Sequence, residues 1–283
     1  MNLIYKLKYK ILKNQWESFY SRYQLPEIHL SDLGVIANDY EPTIIENICM
    51  PPYVGDSQLN DYSVLFSLFD HIKPKIIVEF GTAHGNTVAN ICSHHNSEVY
   101  TVNALPDQID GRVTTYTLTK NEIGYIYRKF GHTNKVNQIF ENTKNINLSL
   151  YLNGKSVDFA IIDACHDSDF VLNDFSKIMP FMGDNSIVIL HDTHPSMSKH
   201  YIDSYIGCMY LRRLGFQIYY ISGSSWAVWL SKRGYLAKGL DENIWGSIKC
   251  LFYRMIFGDI ETDIKRMRTY AKRFIKESTP KID

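Results

Sequence analysis

The sequence predicts an α/β protein with a doubly wound, mainly parallel sheet of about seven strands, closed by an antiparallel hairpin at one edge. Three observations carry this. Short apolar runs alternate with helical segments from about residue 61 to 214, the pattern of a parallel sheet with helices on both faces. The run Ile76-Ile77-Val78 has no polar alternation, as expected of a parallel strand covered on both faces. Two last strand-like runs are separated only by Ser222-Gly223-Ser224-Ser225, too short for a helical crossover.

Element by element, residues 1–24 read as a short basic helix, with Leu3, Ile4, Leu7, Ile11 and Leu12 on one side and Lys6, Lys10 and Lys13 nearby. Residues 25–56 carry Pro26, Pro42, Pro51 and Pro52 and read as a loop-rich approach. A helix from about Asp61 to Ile72 precedes the first strand, Ile76–Phe80. Further strands are expected at Val99–Val102, Val136–Phe140, Val157–Ile162 and Ile187–Leu190, and the hairpin at Gln217–Ile221 and Ala227–Leu230. Helices are expected at Asn86–Ser93, Phe170–Met182 and Ser196–Leu214. After Lys232 apolar residues recur at helical spacing from Ile244 to Phe274, with Lys265, Arg266, Arg268, Lys272, Arg273 and Lys276 making the end basic. The expected organisation is an N-terminal helix and loop-rich extension (1–56), a central domain (57–232) and a C-terminal amphipathic extension (233–283).

Composition narrows the function classes. The hydrophobic fraction of 45% supports a sizeable core. Thirty basic and thirty acidic residues cancel, so there is no global electrostatic case for nucleic acid. Five scattered cysteines with no C-x-x-C pair argue against a disulfide framework or zinc knuckle, and for a reducing compartment. No apolar run reaches bilayer length, and the N-terminus lacks a secretory signal pattern. A cytoplasmic protein is expected. The basic terminal helices also suit contact with an acidic membrane face or a protein, although a packed tail with a solvated polar face accounts for them as well.

The chemistry concentrates at three strand ends. In Glu79-Phe80-Gly81-Thr82-Ala83-His84-Gly85, a buried strand runs into a glycine turn and then a helix start. Such a turn, with the first helix amides facing it, is where a nucleoside cofactor docks. The dinucleotide fingerprint G-x-G-x-x-G is absent because Ala83 stands at its middle position. The second stretch ends in Asp163-Ala164-Cys165-His166, and the third in His191-Asp192-Thr193-His194. Strand carboxyl ends face the ligand crevice of an open α/β sheet, so Asp163, His166, His191 and Asp192 belong near the glycine turn. His194 is as well explained by a loop contact, and Asp158 and Asp167 by capping. Two carboxylates and a histidine suit a divalent ion such as Mg²⁺ or Mn²⁺, or metal-free general-base catalysis.

From about Leu59 to Lys232 these motifs resemble class I S-adenosylmethionine-dependent methyltransferases, of the O-methyltransferase group found beside glycan and secondary-metabolite pathways. The resemblance implies a Rossmann-like methyltransferase sheet whose seventh strand inserts antiparallel. It implies a cofactor site of Glu79, Gly81, Thr82, Ala83, Gly85, Asn103, Asn142 and Asp163. The amino-acid end of S-adenosylmethionine would lie over Gly81–Gly85, the ribose near Glu79 and Asn103, and the adenine near Asn142. It implies a metal set of Asp163, His191 and Asp192, with His166 as general base and His191 as a second catalytic histidine. The sequence departs from the family at Asn103, where an acidic residue is usual, at Glu141-Asn142-Thr143, where Gly-Asp-Ser is frequent, and at His191, which replaces an acidic residue of sugar-modifying relatives. The implied reaction is O-methylation of a sugar, glycan or glycosylated metabolite. A phenolic acceptor, a nicotinamide oxidoreductase and a non-catalytic partner protein remain alternatives, and a homo-oligomer is compatible with each.

Overall fold

The computed structural model describes residues 3–44, 61–109, 117–193 and 198–231. The predicted C-terminal helices, His194 and the prolines at 51 and 52 lie outside them.

Among the described residues eight strands form one sheet: β1 (Glu27–Ile28), β2 (Ile76–Phe80), β3 (Glu98–Val102), β4 (Val136–Ile139), β5 (Val157–Ile162), β6 (Met182–Leu190), β7 (Ile218–Ile221) and β8 (Ala227–Leu230). Their order is β1-β7-β8-β6-β5-β2-β3-β4. The five strands from β6 to β4 pair in parallel. β8 lies between β6 and β7, antiparallel to both. This is the antiparallel insertion the resemblance implies. The hairpin is not the outermost element, however, because β1 pairs in parallel with β7 and takes the edge. Two residues between Pro26 and His29 carry no strand periodicity, so this strand is visible only once β7 offers its amides: Tyr220 donates to Pro26 and Ser222 to Ile28.

Among the described residues seven α-helices accompany the sheet: α1 (Leu3–Tyr23), α2 (Asp61–Ile72), α3 (Asn86–His94), α4 (Tyr125–Lys129), α5 (Ser149–Leu152), α6 (Ser168–Ile178) and α7 (Ser198–Arg213). α4 and α5 are a turn or so each, too short to leave a periodic signal. Alternate residues of each strand point to opposite faces. Val78 and Phe80 of β2 join Val102, Ile162, α6, α7 and Phe19 of α1 on one side. Ile77 joins Val99, Phe159, Ile161, α2 and α3 on the other, together with Ile28, Leu30, Leu33, Val35 and Ile44. The two-sided cover explains why the strands read as unbroken apolar runs. It also shows the approach segment up to residue 44 packed into the same core as the sheet.

The site sits at the carboxyl ends of the neighbouring strands β2, β5 and β6. Asp163 donates its amide to Phe80 O (2.9 Å), and His191 donates its amide to Ile162 O (3.0 Å). Adjacent strand ends are thereby held in one row.

Candidate active site

The glycine turn is built from backbone. Gly81 has φ +106°, and a Cβ placed on it would lie 2.1 Å from the Asp163 carbonyl oxygen. Only glycine lets β2 and β5 come this close while the chain turns. Gly85, at φ +87°, starts α3, and a Cβ there would lie 2.9 Å from Gly124 Cα. Between them Ala83 is held at φ +45°, an unfavourable region for a residue with a side chain. Three contacts stabilise it. Ala83 N–H donates to Asn103 Oδ1 (3.0 Å), while Gly124 N–H donates to Ala83 O and Ile126 N–H to His84 O.

Beneath the turn, Glu79 is 2% exposed. A one-way chain of hydrogen bonds reaches it. Gln138 Nε2–H donates to Thr82 Oγ1 (2.9 Å), Thr82 and Thr101 share a hydroxyl bond (2.7 Å), and Thr101 donates to Glu79 Oε2 (2.5 Å). Burial pushes the Glu79 carboxyl up to about 8 against the pull of Thr101, and the nearby Asp163 charge adds to the rise. Glu79 is therefore a neutral interior group at pH 7. It supports the turn from below, and its carboxyl is already engaged within the protein.

Asn103 and Asn142 are likewise tied into the loops. Asn103 accepts from Ala83 and donates to Ala104 O. Asn142 donates to Gln108 O and accepts from the Lys144 amide. The hydroxyl oxygen of Thr143, the next residue, is buried without a hydrogen-bond partner among the described residues. Buried hydroxyls are rarely left unpaired, so an orphan here fits a polar ligand edge at the end of β4.

The second half of the site is made of charges. His166 Nε2–H donates to Asp192 Oδ2 (2.9 Å) and lies 3.8 Å from Asp163 Oδ1. His191 Nδ1 lies between Asp163 Oδ1 and Asp192 Oδ1, 3.3 Å from each. The structure thus brings together all four residues expected at these strand ends. Asp192 adopts φ +56°, and its two carboxylate oxygens lie 2.9 Å from His166 Nε2 and 3.3 Å from His191 Nδ1.

Burial disfavours charge on every member, but mutual attraction outweighs it. His166 is pushed up to about 9 by Asp163 and Asp192 despite its burial. His191 is raised well above its ordinary value for the same reasons. Asp163 and Asp192 are held below the usual carboxylate range, burial being overcome chiefly by the His191 charge. His166 is accordingly protonated at neutral pH in the unliganded protein.

Three contributors were missed by sequence reasoning. Asp61, the first residue of α2, accepts from His191 Nε2–H (3.1 Å). Trp226 of β8 packs its ring on His191, with centroids 4.3 Å apart. Burial pushes the Tyr62 hydroxyl up to about 12 although it bonds Thr87 on α3, and both Glu79 and Asp163 lie within electrostatic reach. None follows a strand, so the strand-end rule had no hold on them.

Asp163, His191 and Asp192 each offer a ligand atom within 4.8 Å of the others. Two carboxylates and an imidazole fit a divalent ion of the Mg²⁺–Mn²⁺ kind. No helix among the described residues is long and apolar enough to cross a membrane.

Residues 78–193 match a family model described as a methyltransferase domain. No curated protein matches the sequence. Among solved structures, the cofactor-bound Rv0187 from MTB is 13% identical, with a TM-score of 0.47 over 78% of this chain and 90% of that one. An O-methyltransferase from Bacillus cereus in complex with SAH is 12% identical, with a TM-score of 0.46 over 77% and 91%. A Nostoc punctiforme structure described as an O-methyltransferase is 15% identical at a TM-score of 0.42, and the alignment takes in 58% of this chain and only 53% of that one. At these scores the likenesses fix nothing about the site, which is read from its own residues. The matched segment runs from β2 to the end of β6 and so contains the glycine turn and both charged strand ends. Residues 78–193 are thus similar to a methyltransferase domain, and the strand order around them is that of a Rossmann-like sheet with an antiparallel insertion.

Proposed function

We propose that the protein methylates a hydroxyl oxygen, with His166 as general base. The observation that carries this reading is the position of His166. It stands on the carboxyl-end rim, 2.9 Å from Asp192, beside the strand end that Gly81 touches.

Bound S-adenosylmethionine supplies an electrophilic methyl group on sulfur. The turn from Gly81 to Gly85 and the α3 amides suit its amino-acid end, and the orphan Thr143 hydroxyl suits a polar edge of its base. An alcohol is a poor nucleophile until its proton is removed. His166 takes that proton on Nδ1, the ring nitrogen not turned to Asp192, as the oxygen attacks, and Asp192, paired with Nε2–H, stabilises the imidazolium that forms. Asp163, His191 and Asp192 are the residues that would hold a divalent ion, and such an ion would orient the hydroxyl and lower its pKa. Holding oxygen and methyl in near-attack geometry supplies much of the remaining acceleration.

A sugar hydroxyl in a glycan or glycosylated metabolite is the acceptor class the resemblance to O-methyltransferases implies first, and a small phenol the next. A second reading, a non-catalytic protein that keeps the fold, is favoured by one observation: the acceptor oxygen of Asn103 is already engaged by Ala83. Location on the cytoplasmic side, with membrane or protein contact through the basic ends, belongs to the same proposal.

The test is His166→Ala assayed on glycan and phenol pools, with cofactor binding followed by calorimetry. Turnover is expected to fall about 10²–10⁴-fold while S-adenosylmethionine still binds. Unchanged turnover removes His166 from the mechanism. Tight binding with no turnover by the unaltered protein on any pool supports the non-catalytic reading.

A further inference from the structure

Asp61 makes three contacts with the elements around His191. Its Oδ2 accepts from His191 Nε2–H at 3.1 Å, and its Oδ1 accepts from the Ser225 amide at 2.8 Å. Its backbone carbonyl accepts from Trp226 Nε1–H at 3.0 Å, and the Trp226 ring in turn lies against the His191 ring. The carboxylate therefore links α2 to the turn between β7 and β8, and both to the end of β6. His191 is clamped on one ring nitrogen and one ring face. Its other nitrogen, Nδ1, is left pointing between Asp163 and Asp192.

We propose that Asp61 is a positioning residue that fixes His191 as the Nε2–H tautomer, so that a bare Nδ1 completes a metal set with Asp163 and Asp192. A carboxylate on the remote nitrogen of a ligating histidine orients the ring and raises its basicity, and its loss typically costs 10–100-fold in metal affinity. The proposal rests on the metal reading above, and its test separates the two.

Asp61→Asn and Asp61→Ala make opposite demands. The Ser225 amide needs an acceptor, so the asparagine keeps its oxygen there and turns Nδ2–H toward His191. A donor facing Nε2 forces Nε2 to accept and moves the proton to Nδ1, which blocks the ligand position. Alanine removes the Ser225 bond and selects neither tautomer.

Mn²⁺ binding is measured by calorimetry for the three proteins. The His191 ring nitrogens are read by ¹⁵N NMR without metal, at a pH where the ring is neutral. Asp61→Asn is expected to lose Mn²⁺ affinity by about 10–100-fold, at least as much as Asp61→Ala, although it keeps more of the local hydrogen bonding and melts higher. The proton should sit on Nε2 in the unaltered protein and on Nδ1 in Asp61→Asn. A merely structural role reverses the order, alanine being worse, and leaves the nitrogen pattern of Asp61→Asn unchanged; either result overturns the proposal. An unaltered protein that binds no Mn²⁺ overturns the metal reading and the metal half of this one, and the nitrogen pattern then decides whether Asp61 sets the tautomer.

Discussion

The two halves of the site are built on opposite principles. The turn from Gly81 to Gly85 is a shape: its φ angles, close chain approaches and neutral hydrogen bonds leave an outline with almost no charge. The cluster of Asp163, His166, His191 and Asp192 is a balance of charges, each stabilised in its ionised form by the others. A shape fails when an atom is added. A charge balance fails when a partner is removed, because the survivors are left buried and uncompensated. Substitutions should therefore separate the halves, by stability and cofactor binding for the turn and by turnover and pH for the cluster.

The largest expected effect falls on the cluster, where His166→Ala lowers turnover by about 10²–10⁴-fold with cofactor affinity kept. Its pH signature follows from the raised imidazole. A general base works only when unprotonated, so with His166 near 9 the metal-free rate should climb from pH 7 toward 9 and then level. A rate that is flat over that range would exclude His166 as the base.

On the turn, Gly81→Ala should cost about 3 kcal/mol or more. It combines left-handed backbone strain with overlap against a fixed strand end, and the Asp163 carbonyl oxygen stands only 2.1 Å from the added methyl. Denaturant unfolding measures this, and S-adenosylmethionine binding should be lost with it. A variant of normal stability would show that β2 and β5 can separate freely, and that their close approach does not define the site.

Glu79→Gln is expected to act in between. The Glu79 carboxyl moves from an ordinary 4.5 to about 8 on folding, so the folded state holds the extra proton. That contribution is complete below pH 4.5 and is lost as pH rises through 8. Glutamine keeps the acceptor for Thr101 and never ionises. The variant should match the parent near pH 4 and gain on it by about 1.4 kcal/mol per pH unit as pH rises from 5 toward 8. Parallel stability–pH curves for the two proteins would show that Glu79 does not titrate in this window. Asn103→Ala, at the smallest end, removes one hydrogen bond from Ala83 and should cost about 1 kcal/mol, with a corresponding weakening of cofactor binding.

The two halves were also unequally legible. β2, β5 and β8 occupy the predicted residues because a strand covered on both faces needs an uninterrupted apolar run, and such runs are visible in one dimension. The strand-end rule then placed Asp163, His166, His191 and Asp192 on one rim, and the structure brings them within hydrogen-bonding reach. It could not show that Glu79 turns under the loop, because Glu79 occupies the same residue type and spacing whether it faces a ligand or Thr101. Nor could it show Asp61, whose distance to His191 of 3.1 Å spans a large part of the chain and arises only when α2 and the β8 hairpin dock.

By itself, then, the sequence determined what local rules govern: the alternation of strands and helices, the glycine turn, and which acidic and imidazole side chains end the strands. The tertiary structure decided what those side chains are for. Burial made Glu79 a neutral support, chain crossing gave Asn103 and Gly81 their partners, and the meeting of three distant segments put a carboxylate behind His191. Protonation and hydrogen-bond direction depend on neighbours and dielectric, and both exist only after the sheet has closed.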